Sequence, residues 1–128
     1  MAIEDLRKND MMAHLVDALN DGKDIGHYGR LVFVMVARHF LSEKELVSLL
    51  AKDKKFGEEQ AKTLVTQVTS RDYNPPKRER ILQFLEQQKF PICPNADDPD
   101  ACNVYKDLEF PQSVYEHINS YYRQKVGA

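Results

Sequence analysis

The run Leu31-Val32-Phe33-Val34-Met35-Val36-Ala37 contains no polar side chain. A helix through it has no face to offer to water, so protein must surround it on most sides. The run is about a third of the roughly 20 residues that a membrane-spanning helix needs. It therefore predicts a buried central helix, from about His27 to Phe40, inside a helical core.

The other elements follow from shorter periods. Met11, Leu15, Ala18 and Leu19 recur at three- and four-residue steps and predict a first helix from about Asp10 to Leu19, with Asp10 accepting from the first-turn amides and Gly22 closing the end. Ser42 with Glu45 three residues on forms a capping box for a helix through Leu46, Val47, Leu49 and Leu50, whose last turn is expected to gather Lys52, Lys54 and Lys55. Gly57 permits a break, and Ala61, Leu64, Val65 and Val68 then share one face of a fourth helix. That helix must stop before Tyr73-Asn74-Pro75-Pro76, because proline disfavours helical geometry in the residue before it and lacks an amide donor. A fifth helix is expected from about Lys77 to Gln88, with Ile81, Phe84 and Leu85 inward.

From Lys89 to Pro111 the prolines Pro91, Pro94, Pro99 and Pro111 and the acids Asp97, Asp98 and Asp100 break every period. A loop of about 20 residues in a small domain is usually functional or pinned. A last helix from about Gln112 to Lys125 carries Val114, Ile118, Tyr121 and Tyr122. The expectation is an all-α, compact, single-domain bundle of about six helices spanning 1–128, with a long ordered Pro/Asp-rich loop before the last helix.

Composition narrows the function classes. The 128 residues carry 18 Lys and Arg against 20 Asp and Glu, a net charge of −2, so any anionic partner must be met by a local patch. The segment Arg30–Lys89 supplies one, with 12 basic residues against 8 acidic ones. The acidic start Met1–Asp5 lacks the apolar core of a secretory signal, and a cytoplasmic location is expected, without membrane association. Cys93 and Cys102 are the two cysteines, too far apart for a redox Cys-x-x-Cys motif and without a second pair or nearby histidine for zinc. The Asp cluster between them lacks the glycine and distal glutamate of a calcium loop. No nucleophile with an adjacent base and no glycine-rich phosphate loop is visible, so no enzyme and no cofactor is expected.

Two basic constellations stand out. At 100° per residue, His27, Arg30 and Arg38 fall in a sector about 80° wide along one edge of the central helix. His27 and Gly26 also open that helix, where free amides and the dipole favour phosphate or carboxylate. The alternative is that both arginines pair with acids on neighbouring helices. Around the proline turn, Arg71, Lys77, Arg78 and Arg80 accompany Tyr73, a pairing that could stack a base and hold its phosphate. A solvated charged helix is the plain alternative.

Taken in order, several segments resemble the C-terminal domain of the archaeal and eukaryotic DNA primase large subunit. They are Leu15 to Leu19 with Gly22, His27-Tyr28-Gly29-Arg30 opening an apolar helix, Leu46 to Leu50, and Phe56 with Glu58-Glu59-Gln60-Ala61. Tyr73-Asn74-Pro75-Pro76, the Cys93 to Cys102 loop and Tyr121-Tyr122-Arg123 follow. The resemblance implies a helical domain that binds template and the 5′ end of a primer, with His27, Arg30 and Arg38 matching its basic helix and Tyr73 its aromatic before the diproline. It also implies that Cys93 and Cys102 match the third and fourth ligands of the family's 4Fe-4S cluster. The first ligand position holds Met11 or Met12 and the second holds Arg78 or a neighbour, so a stable cluster is not expected.

The resulting expectation is a non-catalytic module that binds single-stranded or primer-template nucleic acid through His27, Arg30, Arg38, Tyr73, Lys77 and Arg78, accessory to a primase or polymerase. The alternative is a helical protein-interaction module that has lost nucleic-acid binding. The acidic stretch from Asp97 to Glu116, where six acids meet the single base Lys106, points that way.

Overall fold

In a computed structural model, which describes residues 3–95, 97–98 and 102–117, the apolar run is the hub of the molecule. It lies in α3 (Gly26–Ala37), where Val32, Phe33, Val34, Val36 and Ala37 are buried while Leu31 and Met35 are half-buried. Around α3 pack α2 (Asp10–Asn20), α4 (Glu43–Leu50), α5 (Glu58–Arg71) and α6 (Arg78–Leu85). The short helices α1 (Ile3–Leu6) and α7 (Val104–Asp107) and a helical segment over 112–117, here α8, complete the described chain. Among the described residues there is no strand, so the all-α expectation holds. No described helix is long and apolar enough to cross a membrane.

Most boundaries follow local chemistry. The Ser42–Glu45 capping box is formed in full, and α5 buries the expected Ala61, Leu64, Val65 and Val68. Gly22, at φ +72°, ends α2 as its amide and that of Lys23 return to Leu19 and Ala18. Asp72 takes the left-handed conformation, φ +50°, and stops α5 one residue before Tyr73.

Five details differ from the sequence reading. The cap of α2 is Asn9, not Asp10: the fully buried Asn9 accepts the Met12 amide at 3.0 Å while its own amide donates to Asp107, an anchor 98 positions away. Helix α3 ends at Ala37 rather than Phe40, its last amides tightening onto Val36 and Ala37 so that Phe40 turns into the core. The lysines 52, 54 and 55 lie beyond the end of α4 rather than in its last turn. Helix α6 stops at Leu85, which frees Gln88 for a distant task described below. Both α1 and α7 formed where no helix was expected.

The Pro/Asp-rich stretch is pinned, as its length required. Ile92, Cys93, Cys102, Val104, Leu108 and Phe110 belong to the core. His14 stacks on Phe90 and bonds the Pro91 carbonyl, and the Tyr105 hydroxyl donates to the Pro75 carbonyl. Of the expected last helix, residues 112–117 are helical with Val114 buried, and Ile118 to Lys125 lie outside the described residues.

Candidate nucleic-acid interface

The six expected contact residues divide between two places. His27 and Arg30 line an open groove of about 330 Å³ between α3 and α5, whose other wall includes Phe56, Thr63 and Gln67. Arg38 and Tyr73 meet at the far end, where α5 gives way to the proline turn. Along the axis, Arg30 and Arg38 are separated by about 12 Å at 1.5 Å per residue. They share the edge of α3 that borders α5 but not one binding point.

At the first place, three of the helix-start amides are not free. The Gly26 amide donates to Asp24 at 2.9 Å, and the Gln88 carboxamide oxygen accepts the amides of Tyr28 and Gly29 at 2.9 and 3.3 Å. The Gln88 amide group donates in turn to the carbonyls of Ile25 and Phe90. Gly26 makes room for this plug, since a Cβ there would lie 2.5 Å from the Gln88 oxygen. The amides of Gly26, Tyr28 and Gly29 are therefore bound to neutral or carboxylate oxygens of the chain itself.

Arg30 is likewise engaged. Its guanidinium lies 3.0 Å from Asp24 and 3.8 Å from the nearly buried Asp53, and it stacks over the Phe56 ring at 4.3 Å. The Gly26 amide and then Arg30 hold the Asp24 carboxyl below the usual carboxylate range. A second hollow, of about 310 Å³, lies on the acidic side of this pair beside Asp24, Asp53 and Lys55. His27 is exposed, edge-on to Tyr28, which stacks on Phe84.

The second place is built around the turn. Arg38 donates to Asp72 at 2.6 Å and to the Tyr73 carbonyl at 3.1 Å, and it holds the Asp72 carboxyl below its ordinary value. Both α3 arginines thus adopt the ion-pair alternative. His117 of α8 reaches the same turn, 3.0 Å from the Asn74 side-chain oxygen and 4.0 Å from Asp72. Tyr73 is displayed: at 37% exposure it is the large apolar side chain left open among the described residues. Its hydroxyl accepts from Arg71 at 2.9 Å, which puts that cation beside the ring. Lys77 is exposed at the cap of α6, while Arg78 is half-buried with its charge felt at the Cys102 thiol.

A four-thiolate cluster does not fit these residues. Met11 and Met12 are fully buried core side chains, the Arg78 charge acts on the Cys102 thiol, and Cys93 and Cys102 are the two thiols of the sequence. Among the described residues no three His, Cys, Asp or Glu side chains converge to hold a metal. Another open hollow, about 720 Å³ between α4 and α5, involves Lys44, Val47, Lys52 and Lys62 and none of the expected contact residues.

Sequence reasoning missed Gln88, Asp53 and Asp72 as partners. Nothing local marks Gln88, whereas Arg71-Asp72-Tyr73 could have been read together, because a carboxylate beside an aromatic at a helix end invites a cation from a neighbouring helix. No family model, curated protein or solved structure matches the chain.

Proposed function

We propose that this chain is a non-catalytic module that binds single-stranded or primer-template nucleic acid, accessory to a primase or polymerase, with the Tyr73 turn as the centre of contact. The exposed ring of Tyr73 carries this reading. A tyrosine fixed between a helix end and two buried prolines is a preorganised platform for a base, because its ordering cost is already met by the fold. Arg71 holds its hydroxyl, so a cation stands at the edge of the ring, and exposed Lys77 follows at the cap of α6. Arg38 fixes the backbone of the turn, and His27 and Arg30 extend the surface along the α3–α5 groove.

Fluorescence titration with single-stranded and primer-template DNA and RNA across a salt series tests the reading. Salt-dependent binding is expected, and Tyr73→Ala should cost about 1 to 3 kcal/mol of affinity with little change in melting temperature. Wild-type protein that shows no salt-dependent affinity for any of these strands overturns it.

A second reading, a helical protein-interaction module, is favoured by one observation. Arg30 and Arg38 are 15% and 14% exposed and already neutralised by Asp24, Asp53 and Asp72. If these arginines serve only the fold, replacing both with alanine lowers stability and leaves the salt slope of strand binding unchanged. If they touch phosphates, the slope flattens by roughly 0.7 log unit for each phosphate no longer neutralised.

A further inference from the structure

The two cysteines are buried next to each other, near the half-buried Arg78. Cys93 and Cys102 are 4% and 0% exposed, both unbridged, and the Cys93 side chain hydrogen-bonds the Cys102 thiol. Thiols that bear on each other in this way are near neighbours, and a bond between them would be roughly 2.05 Å long.

The chain on either side is already fixed. Before Cys93, Phe90 stacks on His14 and its carbonyl accepts from Gln88, while the Pro91 carbonyl bonds His14. After Cys102, Asp107 bonds Asn9 and Tyr105 bonds the Pro75 carbonyl. The thiol contact is thus the closing point of a small loop whose two stems are clamped to different parts of the core.

We propose that Cys93 and Cys102 form an oxidation-sensitive pair that closes to a disulfide with a low-molecular-weight disulfide, such as oxidised glutathione, as oxidant. The Cys93 thiolate attacks one sulfur of oxidised glutathione and expels a glutathione thiolate, which takes up a proton. Cys102 then loses its proton to solvent and attacks the Cys93 sulfur of the mixed disulfide, expelling the second glutathione. Two protein thiols lose two electrons and one oxidised glutathione gains them as two thiols. Burial, then the bond and charge of Cys93, push the Cys102 thiol up to about 12, so it stays protonated while both thiols are free. Because both cysteines are buried, the first attack waits on a local opening around Cys93, and the reaction is slow in the native state.

The test is intact-mass analysis of native protein incubated with excess oxidised glutathione and quenched in acid, paired with a melting curve. The expected product is about 2 Da lighter, melts roughly 5 °C higher because its unfolded chain is constrained, and returns to the starting mass and melting point on reduction with dithiothreitol. Cys93→Ser and Cys102→Ser should each abolish the mass loss and the shift. Unchanged mass after prolonged incubation, or a stable glutathione adduct that never resolves to the lighter species, overturns the proposal. The mass of the wild-type protein decides the matter even if a serine variant does not fold.

Discussion

Gln88 makes four hydrogen bonds with one carboxamide, and three of them close the start of the central helix. Each neutral bond contributes about 1 kcal/mol net, and the amides left behind are half-buried, so Gln88→Ala should lower unfolding free energy by about 2 to 4 kcal/mol in a urea titration. Gly26→Ala should cost a similar amount by a different route. It forces a φ of +79° on alanine and drives a methyl group into the Gln88 oxygen. Since both changes break one cap, the double variant should fall short of the sum by about 1 kcal/mol or more. Additive losses would mean that Gly26 and Gln88 act independently.

Between elements, the joint of α3, α5 and the proline turn rests on Arg38. Its guanidinium pairs with Asp72, whose left-handed backbone ends α5, and also donates to the Tyr73 carbonyl. Arg38→Ala should therefore destabilise the fold by about 1 to 3 kcal/mol, and Asp72→Ala in the same background should add little, a comparison read by a double-mutant cycle. A further loss from Asp72 as large as in the wild type would dissolve the pair. How far such joints can be read from sequence depends on where the partner sits. Caps within three residues, such as Ser42 with Glu45, and one-faced periods, such as Ala61 to Val68, are legible because helical geometry fixes the spacing. The caps supplied by Asp107 through Asn9 and by Gln88 are not, because their spacing is set by tertiary packing. Tyr73 could be placed at a constrained turn from its prolines, but whether its ring pointed inward or outward could not be read, because that depends on tertiary packing.

Across the whole molecule, acid should weaken the fold before the carboxylates titrate. His39 follows Arg38 and sits edge-on to Phe110, with its Nε2 buried and unpartnered. Burial, then the Arg38 charge, lowers its pKa to about 4, against the nearby Asp72 which opposes the shift. The unfolded ring titrates near 6.5, so between those values the unfolded chain binds more protons than the folded one. Stability is full above about pH 6.5 and declines as pH falls towards 4, by roughly 1 to 2 kcal/mol once solvent screening at a half-buried ring is allowed for. Asp24 and Asp72, whose carboxyls are held low, add their losses only in still more acid solution. Urea midpoints measured from pH 7 to pH 4 should show this decline, and His39→Gln should flatten it. A wild-type midpoint that stays level over the window would mean the ring is not kept neutral by the fold.

The pairing of Asn9 with Asp107 and of the α3 start with Gln88 also sets an order of assembly during synthesis. A chain leaving the ribosome exposes α2 and α3 tens of residues before either distant partner is made, so the apolar helix α3 emerges with its Tyr28 and Gly29 amides uncapped. Nascent chains arrested before residue 88 should expose that helix to chaperones and proteases, and protection should arrive in two late steps, one as Gln88 clears the tunnel and another as Asp107 follows.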